Sequence, residues 1–386
     1  MPTQSKPPDG SAYFLYHSIG QYPGKAQDSL RALTRFTDVW GTNDDEQWHM
    51  ALGARQDFID CWARLINAPP GTLTTTENVT AALHSLIGGL PDHALRGKRV
   101  LIAADCFPSL HFLLSGMTEP RGFTLDTVPL RQGANWVEDE DMIAAWGPDV
   151  GLALLTWVSS TSSHRIDLEQ LVAHGRDMGS LIGLDITQGA GLLHCDVMAP
   201  AVDFTISTSL KWLCSTPGAG ILHVAMPLLQ SCEPQLRGWF SQSNPFAWGL
   251  DDFEFAPDAR RFDHGTPGIV ANVASLPALQ WHARQDQPAM LAHNRALTGM
   301  LIDMVDDLGL QLATPRPEHQ RGGSIMVNLP DSIVAADVLA DLKQSEIYAD
   351  ARSQTLRLSP GIVTTNNGVE KLARCLRQLL AAIQTT

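Results

Sequence analysis

The stretch DFTISTSLKWLCSTPGAGILHVA, residues 203–225, reads as an apolar strand, a polar segment around one lysine, a glycine-rich turn and a second apolar strand. Near-continuous apolar runs of this kind suit strands buried on both faces of a sheet. Lys211 then stands just past the end of the first strand, and open sheets place their clefts outside the carboxyl ends of their strands. A reactive amine is useful there. A surface lysine closing a strand is the alternative from this segment alone.

Working outward, the same texture recurs in RVLIAAD (99–105), FTLDTVPL (123–130), VGLALLTWV (150–158) and SLIGLDIT (180–187), with the helical pattern DLEQLVAHGRDMG (167–179) between the last two. Strands alternating with helices imply a mostly parallel sheet covered by helices, an α/β fold. Upstream, DEQWHMALGARQDFIDCWARLIN (45–67) has helical apolar spacing, and TENVTAALHSLIGGL (76–90) follows as a second helix behind the polar opening TTTEN. From about residue 270 the pattern changes to long helices, the short strands GGSIMVNLP and TLRLSP, and a final helix at 368–384, as expected of a smaller α+β domain.

The chain has 386 residues, 44 % of them apolar, enough for more than one domain core. Its formal charge of -14 argues against a nucleic-acid groove or an anionic membrane surface as the main partner and favours small-molecule chemistry. The six cysteines are scattered, without the close spacing of a zinc site or redox pair, and are expected to be reduced thiols with no metal bound. No apolar run reaches membrane-spanning length and no targeting segment is evident, so a cytoplasmic location is expected. A GxGxxG after the first strand and a GxxxxGK[ST] are both missing, which counts against dinucleotide and P-loop chemistry.

Three further segments bear on Lys211. In LIGLDITQGAGLLHCDV, Asp185 closes an apolar strand and Gln188 follows three residues later. A carboxylate there needs a partner: the pyridinium nitrogen of pyridoxal phosphate is one, and the first turn of a following helix is another. TTTENVTAALHSLI sets hydroxyls and free N–H groups at a helix N-terminus, suited to a phosphate or to capping alone. In DCFPSLHF, Phe107 follows a strand end, where it can stack on a flat ring or simply pack in the core.

The order phosphate cup, aromatic, Asp with a following Gln, then Lys resembles the fold-type I pyridoxal-phosphate enzymes, in particular the kynureninase-like members of the class V aminotransferase group. The resemblance runs through YHSIG (16–20), CFPS (106–109), LRGWFSQ (236–242), HGTPGIV (264–270), RGGSI (321–325) and LRLSPGIV (356–363). It implies pyridoxal 5'-phosphate held as a Schiff base on Lys211, Asp185 on the pyridinium, Phe107 on the ring, and Thr76, Glu77 and Asn78 at the phosphate. Gln188 and Ser209 are implied as further coenzyme contacts, and Trp239 and Thr266 as phosphate contacts from the neighbouring subunit of a homodimer. Arg357 matches the family's carboxylate-binding arginine, a task that suits a guanidinium fork, with an edge-strand surface arginine as the alternative. His17 and Ser18 fall on the N-terminal substrate-side motif. The domains implied are an N-terminal segment 1–45 contributing to the small domain and active site, a large coenzyme domain 46–265, and a small domain 266–386.

Four positions depart from the kynureninase pattern: Leu210 replaces Tyr, Gln188 replaces His, Leu110 replaces Asp and His17 replaces Asn. Gln188 gives instead the Asp-x-x-Gln of cysteine desulfurases and class V aminotransferases. The reading is therefore an enzyme acting on an amino acid, a kynureninase-like lyase or hydrolase cleaving at Cβ, with a class V aminotransferase or Cβ–S lyase as the alternative. A coenzyme-fold binding module is disfavoured by the presence of both Lys211 and Asp185.

Overall fold

A computed structural model of the chain describes residues 10–384. Seven strands form one sheet: β1 (Leu73–Thr76), β2 (Arg99–Ala103), β3 (Thr124–Val128), β4 (Val150–Thr156), β5 (Leu181–Asp185), β6 (Phe204–Thr208) and β7 (Gly220–Val224). Their order is β3-β2-β4-β5-β6-β7-β1. All neighbours are parallel except β7, which runs antiparallel to both β6 and β1. The α/β expectation holds. The threonines at 74–76, which the sequence reading gives to the opening of a helix, instead form edge strand β1, and the helix starts at Val79.

Both sheet faces are covered, so the inner strands are almost wholly buried, including the polar Thr205 and Ser207 of β6. On one face Phe58, Trp62, Leu155, Trp157 and Ile182 join one core cluster; on the other Leu83, Leu86, Ile102, Leu154, Phe204 and Leu222 join a second. Gly183 is required at the centre of β5, since a Cβ there would lie 2.0 Å from the Phe204 ring. Helix Ile269–Ala283, C-terminal to the expected boundary at residue 266, packs against helices Lys25–Trp40 and Gln47–Leu65 and adds Ala278, Leu279 and Trp281 to the first core.

A second, four-stranded antiparallel sheet runs Asp350–Arg352, Thr355–Leu358, Ile325–Asn328, Gln311–Leu312, around a core that includes Leu297, Leu301, Val327, Leu356 and Leu372. Ala12 and Phe14 are buried in this core, and Ala12–Tyr13 pairs in parallel with Ile347–Tyr348. The chain then passes from this unit to the Lys211 loop through residues 14–20. The N-terminal segment thus runs from the core of the small unit to the lysine loop of the large one. Among the described residues no helix is long and apolar enough to cross a membrane.

Candidate active site

Past the end of β6 the chain turns through Ser209–Lys211, and every nearby carbonyl is engaged. Cys214 N–H donates to the Lys211 carbonyl (2.9 Å), Gly20 N–H to Leu210 (3.0 Å) and Ser215 N–H to Ser209 (3.0 Å). Cys214 sits at φ 58, closing the turn in the left-handed region. Thr216 then ties the loop to helix Ile269–Ala283 through the Ser275 hydroxyl, 2.7 Å from its own. A side chain carried on so constrained a backbone is preorganised.

Burial pushes the Lys211 amine down to about 8, partly opposed by Asp185 and reinforced by Arg357. Its Nζ lies 5.3 Å from the centroid of the Phe107 ring. Phe107 itself is 44 % exposed at the entry to helix Pro108–Arg121, which excludes core packing as its purpose. A cavity of about 280 Å³ opens between them, bordered by Asn78, Phe107, Asp185, Gln188 and Lys211.

Asp185 ends β5 and is buried, and its Oδ1 accepts the Thr187 N–H at 2.9 Å. Desolvation raises its pKa, while Thr187 and the Lys211 charge pull it back. One hydroxyl on the cavity wall, that of Thr156, is buried without a partner among the described residues. Unpaired buried polar groups are costly, so such a wall is suited to a polar ligand. Asn78 caps helix Val79–Gly89 by accepting the Ala81 N–H at 2.9 Å, and the start of this helix faces the cavity through Asn78, Val79 and Thr80. The set is an anion at one end, an aromatic face, an amine, and a helix N-terminus at the other end. It fits a flat, cationic, phosphorylated coenzyme.

The N-terminal segment reaches the same wall: Gln188 Nε2 donates to the His17 carbonyl at 3.0 Å. His17 is buried, with Nδ1 2.7 Å from the Ser359 hydroxyl and Nε2 3.4 Å from Asp350 Oδ2, and burial lowers its pKa. Arg357 is also buried, on an inner strand of the second sheet, so the edge-strand alternative is overturned. Nor is its fork free. Asp350, directly opposite in the hairpin, accepts from Arg357 Nε at 3.1 Å and Nη2 at 2.5 Å.

Other expected residues lie apart. Ser209 is fully buried and its hydroxyl accepts the Trp62 indole N–H at 3.0 Å, and it does not border the Lys211 cavity. Ser18, Trp239 and Thr266 do not border it either, nor do His17 and Arg357, although Arg357 is near enough for its charge to lower the Lys211 pKa. Thr76 and the exposed Glu77 border a neighbouring cavity of about 630 Å³ with His264, Gly265 and Pro267; this cavity shares Asn78 and Thr80 with the first. Trp239 packs edge-on against Trp48 and Phe240. Of the departures, Leu210 borders the Lys211 cavity, whereas Leu110 is fully buried in the second core.

Gly20, Thr156, Thr187 and Asp350 are absent from the sequence reading. For Asp350 a signal existed. The run YADARSQTLRL has a two-residue Ser353–Gln354 turn between alternating strands, with Ser353 at φ 50, and a hairpin so closed sets Asp350 across from Arg357.

The family model for aminotransferase class-V matches residues 51–372. A kynureninase of Deinococcus radiodurans is 27 % identical over 363 residues, covering 90 % of this chain and 84 % of that protein. The fold is shared with the cysteine desulfurase CsdA of Escherichia coli, at TM-score 0.86 and 17 % identity over 98 % of each chain. It is shared too with C-DES carrying glycine covalently linked to its pyridoxal-phosphate cofactor, at TM-score 0.85 and 19 % identity over 99 % of each chain.

Proposed function

Since the chain belongs to the aminotransferase class-V family, we propose that Lys211, Asp185 and Phe107 seat the coenzyme of a kynureninase-like enzyme that cleaves an amino acid at Cβ. The protein is a pyridoxal 5'-phosphate-dependent enzyme of amino acids. The observation that carries the assignment of residues is the Lys211 amine over the Phe107 ring, at 5.3 Å, with the buried Asp185 carboxylate bordering the same cavity.

Bound there, the coenzyme supplies an electron sink that stabilises negative charge at the substrate Cα. The residues do the rest. Lys211 offers the amine for attachment, and its lowered pKa leaves part of it unprotonated near neutrality, able to hold or release a proton at Nζ. Asp185, fixed by the Thr187 N–H, sets a negative charge opposite a cationic ring nitrogen. The first turn of helix Val79–Gly89 gives N–H donors and the positive end of its dipole to the phosphate.

Cleavage at Cβ is favoured by the kynureninase relative and by motifs along the whole chain. A transaminase or Cβ–S lyase is the second reading. It is favoured by Gln188, which spends its amide on the His17 carbonyl where a histidine is expected for kynureninase chemistry. The assembly that accompanies either reading is a homodimer in which Trp239 and Thr266 complete the partner's phosphate site. Both stay off the Lys211 cavity of their own chain. Phe246 stands exposed against Trp239, and Trp248 and Leu250 are exposed in the segment that follows.

Borohydride reduction followed by peptide mapping tests the seat: the label belongs on Lys211, and a label elsewhere overturns it. Products from kynurenine, 3-hydroxykynurenine, cysteine conjugates and amino acid plus keto acid pairs then separate the reactions. Alanine released from kynurenine supports Cβ–Cγ cleavage, and exclusive keto-acid exchange overturns it.

A further inference from the structure

Arg357 is the residue that this reading gives to the substrate carboxylate, yet its guanidinium is already engaged by a carboxylate of its own chain. Asp350 takes the side-on edge, Nε and Nη2, in the bidentate geometry that gives such pairs their strength. The pairing is built into the backbone, because Asp350 and Arg357 are direct cross-strand partners. On its far side Asp350 Oδ2 faces His17 Nε2 at 3.4 Å, and His17 is in turn fixed by Ser359, whose hydroxyl is 2.6 Å from that of Ser324. Arg352 adds an outer contact of 3.5 Å to Oδ1. Arg357 Nη1 has no hydrogen-bond partner among the described residues.

An incoming carboxylate can meet this cluster in two ways. It can replace Asp350, which leaves that carboxylate with only the long contact to exposed Arg352 and a buried histidine whose pKa desolvation lowers. Or it can dock on the Nη1 end, beside Asp350, where two like charges share one guanidinium. Both routes penalise the carboxylate. A neutral group at the same place, such as an amide or ester, meets no such repulsion.

Resting on the reading of Arg357 as the substrate-side arginine, we propose that Asp350 is a specificity-determining residue that lowers the selectivity of the Arg357 end of the cleft for a free α-carboxylate. The cleft then accepts amines whose α-substituent is neutral nearly as well as ordinary amino acids.

The test titrates holoenzyme with L-alanine and with L-alaninamide and follows binding by the change in coenzyme absorbance and by calorimetry. The native protein is expected to bind the two within about threefold of each other. Asp350→Asn should tighten alanine about tenfold, leaving alaninamide unchanged. Asp350→Glu, which keeps the charge, should retain the native ratio, and it stands in should the asparagine variant fold poorly. Weaker alanine binding in Asp350→Asn, an equal shift for both ligands, or strong preference for alanine in the native holoenzyme each overturns the proposal while leaving the coenzyme seat intact. No response to either amine in any of these proteins overturns the coenzyme reading and this proposal with it.

Discussion

Gly20 lies so close under the Lys211 turn that a Cβ on it would be 1.8 Å from the Lys211 carbonyl oxygen and 2.8 Å from the Cys214 sulfur. Its N–H donates to the carbonyl of Leu210, the preceding residue. The N-terminal segment and the lysine loop therefore interlock through a position with room only for hydrogen. Gly20→Ala must push one strand of chain off the other. Overpacking of this kind costs about 1–3 kcal/mol, and here the contact is backbone, which cannot rotate away. The expected result is a lower melting temperature together with loss of coenzyme retention. Gly299 is the control: it sits in helix Gln287–Asp307 with nothing near its missing Cβ, so Gly299→Ala should be neutral or stabilise by up to about 1 kcal/mol. Equal coenzyme retention in Gly20→Ala and native protein would show that the interlock does not position Lys211.

On the proposed seat, attachment of the coenzyme to apoprotein would require the neutral form of the Lys211 amine, and burial depresses that amine to about 8. A lowered pKa means that deprotonation is complete at lower pH than for a solvated lysine. The rate of reconstitution should rise with pH, about tenfold per unit well below 8, and level off above it. Stopped-flow absorbance at fixed coenzyme concentration measures this. A rate still climbing past pH 9.5 would indicate an ordinary surface lysine, and reduction with borohydride in Lys211→Ala would indicate a different one.

On the proposed seat, Asp185 would face the ring nitrogen from a buried position, with one oxygen held by the Thr187 N–H. Asp185→Asn keeps the shape and removes the charge. Turnover should fall by about 100-fold or more, roughly 1.4 kcal/mol of barrier per tenfold, with coenzyme occupancy reduced much less. Steady-state rates at saturating substrate, paired with the absorbance of bound coenzyme, check the split. A loss of only a few-fold would remove Asp185 from the pyridinium role.

The inner strands were legible because they are buried on both faces, and burial writes itself as apolar runs: β2, β4, β5 and β7 stand out, whereas β6 carries Thr205 and Ser207 and the edge strand β3 is only partly buried. Strand β1 was hidden because Leu73–Thr76 is four residues long and its threonines also suit a capping segment; only pairing with β7 decides between them. Lys211, Asp185 and Phe107 were legible because each follows or ends such a run. Asp350 and Gly20 were not, since each takes its meaning from a residue far along the chain. A carboxylate in a short hairpin and a glycine in a leader look ordinary until Arg357 and Lys211 are brought against them.

Whether Thr266 serves its own site or its partner's can be settled by mixing subunits. The loop from His264 to Gly268 is fixed from below by the buried Asp263, whose Oδ1 accepts from Arg55 (2.8 Å) and from the Thr74 hydroxyl (2.6 Å), yet Thr266 itself is exposed. An exposed hydroxyl next to a glycine and a proline is well placed to meet a second chain. Thr266→Ala alone should weaken coenzyme binding by about one to two orders of magnitude, as expected for loss of a hydrogen bond to a charged group worth about 1.5–3 kcal/mol. Trp239→Phe, which removes the indole donor, should behave alike. Lys211→Ala alone should abolish covalent attachment. In a mixed dimer of Lys211→Ala with Thr266→Ala, service to the partner leaves one site with both native residues, so native affinity should return at half the occupancy. Service within the chain leaves every site defective, and no tight site appears. Sedimentation of the same samples must show dimers. A mixture without a tight site would place Thr266 outside the partner's phosphate cup, and a monomer with full coenzyme occupancy would place Trp239 outside it as well.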